Sequence, residues 1–151
     1  MIREKIKAEL VAAMKEHNEA KTATLRLIGA TLKDKDIAAR PSGKMDGISD
    51  DEILSMFQSM IKQRRESIEL YQKGGRDDLV AKEQAEIDII TSFMPAQMDD
   101  AAVESAIKQA IADTGATSIK DMGKVMGALK GKYAGQMDFG KASAKIKELL
   151  G

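Results

Sequence analysis

Apolar residues recur along the whole chain at spacings of three and four positions, and no segment alternates convincingly with a period of two. This pattern predicts an all-α fold. The polar and apolar positions divide into seven helical stretches that are separated by short runs rich in glycine, proline, aspartate or serine. Four of the predicted helices lie in the N-terminal part of the chain and three in the C-terminal part.

The first four helices form a predicted N-terminal unit. A proline and two glycines mark residues 40–47 as a loop, and Ser49 with Glu52 forms a capping box before the longest helix. The predicted helices run roughly from Ile2 to Glu19, from Thr22 or Thr24 to Ala39, from Ser49 to Gly74-Gly75, and from Asp77 or Asp78 to just before Pro95.

The last three helices form a predicted C-terminal unit. We expect Asp99 to cap helix five, with Met98 and Val103 placed as a hydrophobic staple, and Asp138 to cap helix seven. Gly115 closes helix five, and helix six spans about 118–130. The domain boundary is placed at Pro95, giving units of residues 1–95 and 96–151.

Composition restricts the chemistry that the chain can perform. There is no cysteine and His17 is the only histidine, which excludes disulfides and thiolate catalysis and leaves no zinc site. No apolar run approaches the roughly 18 residues of a membrane span. We therefore expect a cytoplasmic protein without cofactor, metal or membrane partner. Because 24 basic residues balance 24 acidic ones, any nucleic-acid contact requires a local basic patch.

Gly123 and Gly127 form the most informative pair of residues. Both lie inside a helical pattern, where each glycine costs roughly 1 kcal/mol relative to alanine. Seven lysines occur on this helix, in the following loop and on helix seven, so the surface could follow a phosphate backbone. The alternative is an ordinary solvated face whose glycines allow tight helix packing. The candidate RNA-binding residues are Lys120, Gly123, Lys124, Gly127, Lys130, Lys132, Lys141 and Lys145.

Arg64, Glu83 and Glu86 are the only candidate acid–base cluster. Their helical spacing puts all three on or beside the apolar stripes of helices three and four. Since no nucleophile accompanies the carboxylates, we interpret the cluster as a structural ion pair between antiparallel helices. No catalytic residue is predicted.

The order of these motifs resembles the YqeY family, also called GatB/YqeY-like proteins, over nearly the full length. The segments that carry the resemblance are 24–26 (Thr-Leu-Arg), 62–67 (Lys-Gln-Arg-Arg-Glu-Ser), 75–79 (Gly-Arg-Asp-Asp-Leu), Glu83 with Glu86, 94–98 (Met-Pro-Ala-Gln-Met) and 121–127 (Asp-Met-Gly-Lys-Val-Met-Gly). The chain departs from the family pattern at 139–143 and at Lys145, where the family often has a valine-like residue.

The resemblance implies two helical units joined by a partly helical linker, and kinship with the C-terminal tail of the B subunit of the glutamine-dependent tRNA amidotransferase. It implies a helical adaptor that binds tRNA or another structured RNA without a catalytic site of its own. Two alternatives stay open: a protein-interaction module, or an accessory subunit with carbon–nitrogen ligase activity and glutamine as amide donor. The ligase label is inherited from the family alone.

Overall fold

The computed structural model describes residues 1–151 and contains seven α-helices and no strand, so the predicted all-α class is confirmed. The helices are α1 (Ile2–Lys15), α2 (Glu19–Ala39), α3 (Asp50–Lys73), α4 (Asp77–Thr91), α5 (Asp100–Thr114), α6 (Met122–Tyr133) and α7 (Phe139–Leu150). Short 3-10 turns occur at Arg40–Ser42 and Ile119–Asp121. The chain divides into unit 1, Met1–Met94, and unit 2, Pro95–Gly151.

The junction between α1 and α2 lies earlier than the pattern predicts. Helix α1 ends at Lys15, and His17 adopts a φ of 57°, in the left-handed region that closes many helices. Asn18 then caps α2 by accepting a hydrogen bond from the Lys21 N–H at 3.1 Å. The predicted end of helix one at Glu19 and the later predicted start of helix two were therefore wrong. Residues 15–19 contain neither glycine nor proline, which are the usual signals of a helix end, and few non-glycine residues adopt a positive φ.

Three predicted helix caps are confirmed. The Ser49 hydroxyl accepts a hydrogen bond from the Glu52 N–H at 3.2 Å, and the Asp99 carboxylate accepts one from the Ala102 N–H at 2.7 Å. The Asp138 carboxylate accepts from two N–H groups in the first turn of α7. Each cap satisfies donors that have no partner within the helix, which is why these sequence signals are reliable.

The core of unit 1 is built mainly from aliphatic residues and methionine. Helix α3 packs against α4, and α2 packs against α1 and α4. Phe57 of α3 stacks on Phe93, which follows α4, with ring centroids 6.0 Å apart. No residue of α3 after Arg64 is buried, and none of α4 before Ile87, so the far end of this helical hairpin lies outside the core.

A clasp of three residues joins α1, α2 and the loop before α3. The Arg3 guanidinium donates to both carboxylate oxygens of Asp36 at 2.6 and 2.7 Å and to the Ile48 carbonyl at 2.8 Å. The Ile48 N–H in turn donates to Asp36 at 2.9 Å. Gly47 is required beside this clasp because its φ is 98° and a Cβ would lie 2.5 Å from the Arg3 guanidinium.

Unit 2 has its own core, formed where α5, α6 and α7 meet. Ile107, Val125, Leu129 and Ile146 are completely buried there. The segment before α5 is attached to the loop before α7, since the Met98 N–H donates to the Gln136 carbonyl at 2.9 Å. No residue between Thr91 and Asp100 is helical, so the linker differs from the partly helical one that was expected.

Candidate nucleic-acid interface

The predicted glycine pair belongs to a longer row. The predicted helix over about 118–130 is instead a 3-10 turn over Ile119–Asp121 followed by α6, which extends to Tyr133. This extension places Gly131 inside the helix, four residues after Gly127 and eight after Gly123. All three glycines are exposed on one face. Sequence reasoning missed Gly131 because it was assigned to the following loop, although the four-residue spacing continues to it.

The three glycines do not serve packing within unit 2. A Cβ built on Gly123, Gly127 or Gly131 would meet no other heavy atom within 4 Å. The tight-packing explanation is therefore wrong. Each position would accept alanine, which is roughly 1 kcal/mol more favourable in a helix interior, so the fold alone does not account for glycine here.

The exposed surface of α6 carries only positive charge. Lys124, Lys130 and Lys132 are exposed, and residues 122–133 contain no aspartate or glutamate. Lys132 lies 5.5 Å from the centroid of the Tyr133 ring, and none of the three lysines forms an ion pair. Eight residues separate Lys124 from Lys132, a rise of about 12 Å along the helix. Since Val125 and Leu129 are fully buried beneath, the positive face is held firmly against the core.

The remaining predicted lysines have different surroundings. Lys120 is exposed in the 3-10 turn before α6, and Lys141 is exposed in the first turn of α7. Lys145 is half-buried and forms an ion pair with Glu148 at 3.7 Å. A lysine that is already paired has less charge to offer a ligand, so Lys145 is the least suited of the predicted RNA-binding residues.

Asp121 is the one acidic residue at the start of this surface, and its carboxylate is hydrogen-bonded to the backbone. Its carboxylate accepts a hydrogen bond from the Thr117 N–H at 3.0 Å. This bond, with a smaller contribution from the Lys124 charge, lowers the pKa of Asp121. The carboxylate therefore organises the loop that leads into α6 as well as adding negative charge near it.

The charged cluster of unit 1 contains one pair and one unpaired carboxylate. Arg64 Nε donates to Glu86 Oε2 at 2.9 Å, and Arg64 Nη1 donates to the Met60 carbonyl at 3.1 Å. The side chains of Arg64 and Glu86 are 10 % and 19 % exposed. Glu83 is half-buried and has no ion-pair or hydrogen-bond partner. Neither Arg64 nor Glu86 hydrogen-bonds to a serine, threonine or lysine side chain, and the pair links α3 to α4 near the limit of the core.

No group of three or more histidine, cysteine, aspartate or glutamate side chains has an arrangement that could hold a metal ion. No helix combines the length and the apolar character needed to cross a membrane.

Comparison with known proteins gives one family and a set of fungal relatives. A family model described as Yqey-like protein matches residues 3–150. The relatives are named Altered inheritance of mitochondria protein 41, mitochondrial. The one from Eremothecium gossypii is 38 % identical over 91 residues, or 60 % of this chain and 48 % of that protein. The one from Saccharomyces cerevisiae is 32 % identical over 148 residues, or 97 % of this chain and 66 % of that protein.

A third relative of the same name, from Pyrenophora tritici-repentis, is 29 % identical over 153 residues, or 97 % of this chain and 80 % of that protein. The chain thus spans between about half and two thirds of the length of the first two relatives. All three relatives are named as mitochondrial proteins, and this finding overturns the predicted cytoplasmic location.

Proposed function

The chain belongs to the YqeY-like protein family, and on that premise we propose that it is a non-catalytic adaptor that binds tRNA or another structured RNA through α6. The contacts would be made by Lys120, Lys124, Lys130 and Lys132, with Lys141 nearby in sequence on α7. Gly123, Gly127 and Gly131 would let the RNA backbone come close to the helix. From the names of the relatives we further propose a mitochondrial location.

The observation that carries this proposal is the combination of three exposed helix glycines with unpaired lysines and no acidic residue on α6. Glycines with open space above them are unfavourable for the helix, and a closely approaching partner would explain them. Lysines without an ion-pair partner favour a polyanion as that partner. An extended α6 surface of this kind suits a phosphate backbone better than a small ligand.

Recognition would depend on RNA shape more than on base sequence. Unit 2 contains only two aromatic residues, Tyr133 and Phe139, and both are half-buried against its core. Few bases could therefore stack on this surface. Lysine donates to phosphate as a point charge and does not read base edges in the bidentate manner of arginine.

The proposal is tested by fluorescence anisotropy with labelled tRNA at several salt concentrations. About three to five phosphate contacts predict that log K falls with log salt with a slope near −2 to −4. Lys124→Glu should weaken binding and make this slope shallower. Lys73→Glu changes the same charge on exposed α3 and is the matched control, for which we expect little change.

Two results would contradict RNA binding through α6. One is the absence of binding to tRNA at low salt. The other is an equal loss of tRNA affinity in Lys124→Glu and Lys73→Glu, because binding would then depend on the net charge of the protein and not on α6. The proposed location is tested separately, by imaging the natural full-length protein in its own cells beside a mitochondrial marker, and a diffuse cytosolic signal would refute it.

A link to tRNA amidation rests on the family resemblance. If the chain assists a glutamine-dependent amidotransferase, addition of the purified chain should change the rate of tRNA amidation by that enzyme, and Lys124→Glu should remove the change. An amidation rate that does not respond to the wild-type chain would refute this role while leaving RNA binding testable on its own.

A further inference from the structure

Helix α2 has a second apolar face that is directed away from the core. Its core face carries Leu25, Ile28 and Leu32, all buried. The opposite face carries an outer stripe whose members follow one another at spacings of three, four, three, four and three residues and are all exposed. The outer stripe consists of Ala20, Ala23, Leu27, Ala30, Asp34 and Ile37.

The spacing of the outer stripe is that of a helix-pairing seam. Alternating steps of three and four keep residues on one line along a helix and are the a and d positions of a heptad. Leu27 and Ile37 are 45 % and 48 % exposed, whereas the apolar residues on the core face of α2 are all buried. The three alanines of the stripe, two before Leu27 and one after it, would allow a second helix to approach closely.

One edge of the outer stripe carries a row of cations. Arg26, Lys33 and Arg40 follow each other at seven-residue intervals, so they line the same edge over about four turns, and the exposed Glu19 lies one interval before Arg26 at the start of the helix. All three are exposed, and none forms a side-chain hydrogen bond or an ion pair within the chain. The edge therefore presents unpaired positive charge beside an apolar seam.

We propose that the outer stripe of α2 is a docking surface for an amphipathic helix of another protein, whose apolar face is flanked by carboxylates. The apolar seam would receive the partner's apolar face, and Arg26, Lys33 and Arg40 would pair with its acidic residues. Asp34 within the stripe and the absence of exposed aromatic residues along it disfavour a lipid surface as the occupant. This surface lies on unit 1 and does not depend on RNA binding by α6.

The test uses two synthetic helices of about three heptads with leucine at a and d, one with glutamate and one with lysine at e and g. At neutral pH each peptide repels copies of itself, so binding to the full chain can be followed by anisotropy. We expect the glutamate peptide to bind about tenfold more tightly than the lysine peptide, from three exposed charge pairs. Equal binding, or tighter binding of the lysine peptide, would overturn the proposal.

Two variants locate the interaction on the outer stripe. Ala30→Gln places a longer side chain in the middle of the seam and should weaken binding of the glutamate peptide about tenfold through overpacking. Ala8→Gln on the exposed face of α1 is the matched control and should leave binding unchanged. The double variant Arg26→Glu with Lys33→Glu should shift the preference towards the lysine peptide, with helical circular dichroism checking that each variant folds.

Competing occupants give distinct results. Stronger binding of anionic phospholipid vesicles than of the glutamate peptide would identify a membrane surface instead. A dimer of the 16.4-kDa chain in sedimentation, dissociated by Ala30→Gln, would identify a second copy as the occupant. Either result would overturn an acidic helix as the partner.

Discussion

Replacing Gly127 by alanine should stabilise the protein and weaken RNA binding at the same time. Most substitutions at a binding surface either leave the fold unchanged or destabilise it. Gly127 differs because it is a helix-interior residue, and a Cβ at this position meets no atom within 4 Å. The stability effect and the binding effect therefore have separate physical causes and opposite signs.

The stability effect comes from the helix itself. Alanine is favoured over glycine by about 0.5–1 kcal/mol in a helix interior, since glycine loses more backbone freedom on folding. For a unit of about 60 residues, a change of 1 kcal/mol raises the melting temperature by roughly 4–8 °C. Combining Gly123→Ala, Gly127→Ala and Gly131→Ala should give about 1.5–3 kcal/mol, because the three sites share no contact partner.

The binding effect comes from the new methyl group at the interface. If the RNA backbone approaches α6 closely, each Cβ displaces it in the way that overpacking displaces a core, at about 1–3 kcal/mol. This corresponds to a loss of about 5- to 150-fold in affinity for tRNA. The lysines are unchanged in this variant, so the salt dependence should keep its slope while the affinity falls.

Gly29→Ala provides the matched control. Gly29 lies inside α2, and a Cβ there also meets nothing within 4 Å. The substitution should stabilise unit 1 by a similar amount and leave tRNA affinity unchanged. If Gly127→Ala stabilises the protein and binds tRNA as tightly as the wild type, the glycine face does not contact RNA. If it fails to stabilise, the helix has a requirement for glycine that the open space around it does not reveal.

Three further predictions concern stability. Glu86→Gln should lower the free energy of unfolding in urea by about 2–3 kcal/mol, because it leaves Arg64 without its charged partner in a mostly buried position. Glu83→Gln breaks no contact and should change it by less than about 0.5 kcal/mol. Equal losses in the two variants would contradict the pairing of Arg64 with Glu86. Hydrogen bonds from Arg3 lower the pKa of Asp36 in the folded state. The pair therefore stabilises the fold fully at pH values above the unfolded-state pKa of about 3.9. This stabilisation is lost as the pH falls through the lower pKa of the folded state. Asp36→Asn should be less stable than the wild type at pH 7 by about 1–2 kcal/mol, and the difference should shrink between pH 5 and pH 2 by calorimetry; a difference that does not vary with pH would refute the role of the charge. His17→Gly should stabilise the fold by about 1 kcal/mol, since glycine adopts a φ of 57° without strain, and a destabilised variant would show that the imidazole makes a necessary contact.

Much of the fold follows from local signals in the sequence. The all-α class is set by apolar spacing, and the beginnings of α3, α5 and α7 are marked by Ser49, Asp99 and Asp138, whose side chains satisfy backbone donors of the next few residues. The junction at His17 was not predictable in the same way. His17 takes a left-handed conformation there although it is not a glycine, and the one local signal at the junction is Asn18, whose side chain caps α2.

The candidate site also combines features that the sequence predicts with features that only the tertiary structure determines. Its glycines and lysines could be identified from the sequence because their cost or charge is a property of each residue type. Whether Gly123 and Gly127 were buried against a neighbouring helix depended on the tertiary structure, since helical spacing gives the angle of a residue around its own axis and leaves open what lies opposite. The structure decided that this space is empty, added Gly131 to the row and paired Arg64 with Glu86 in preference to Glu83. Contacts between distant segments are collective outcomes of packing, and for that reason only the folded chain determines them.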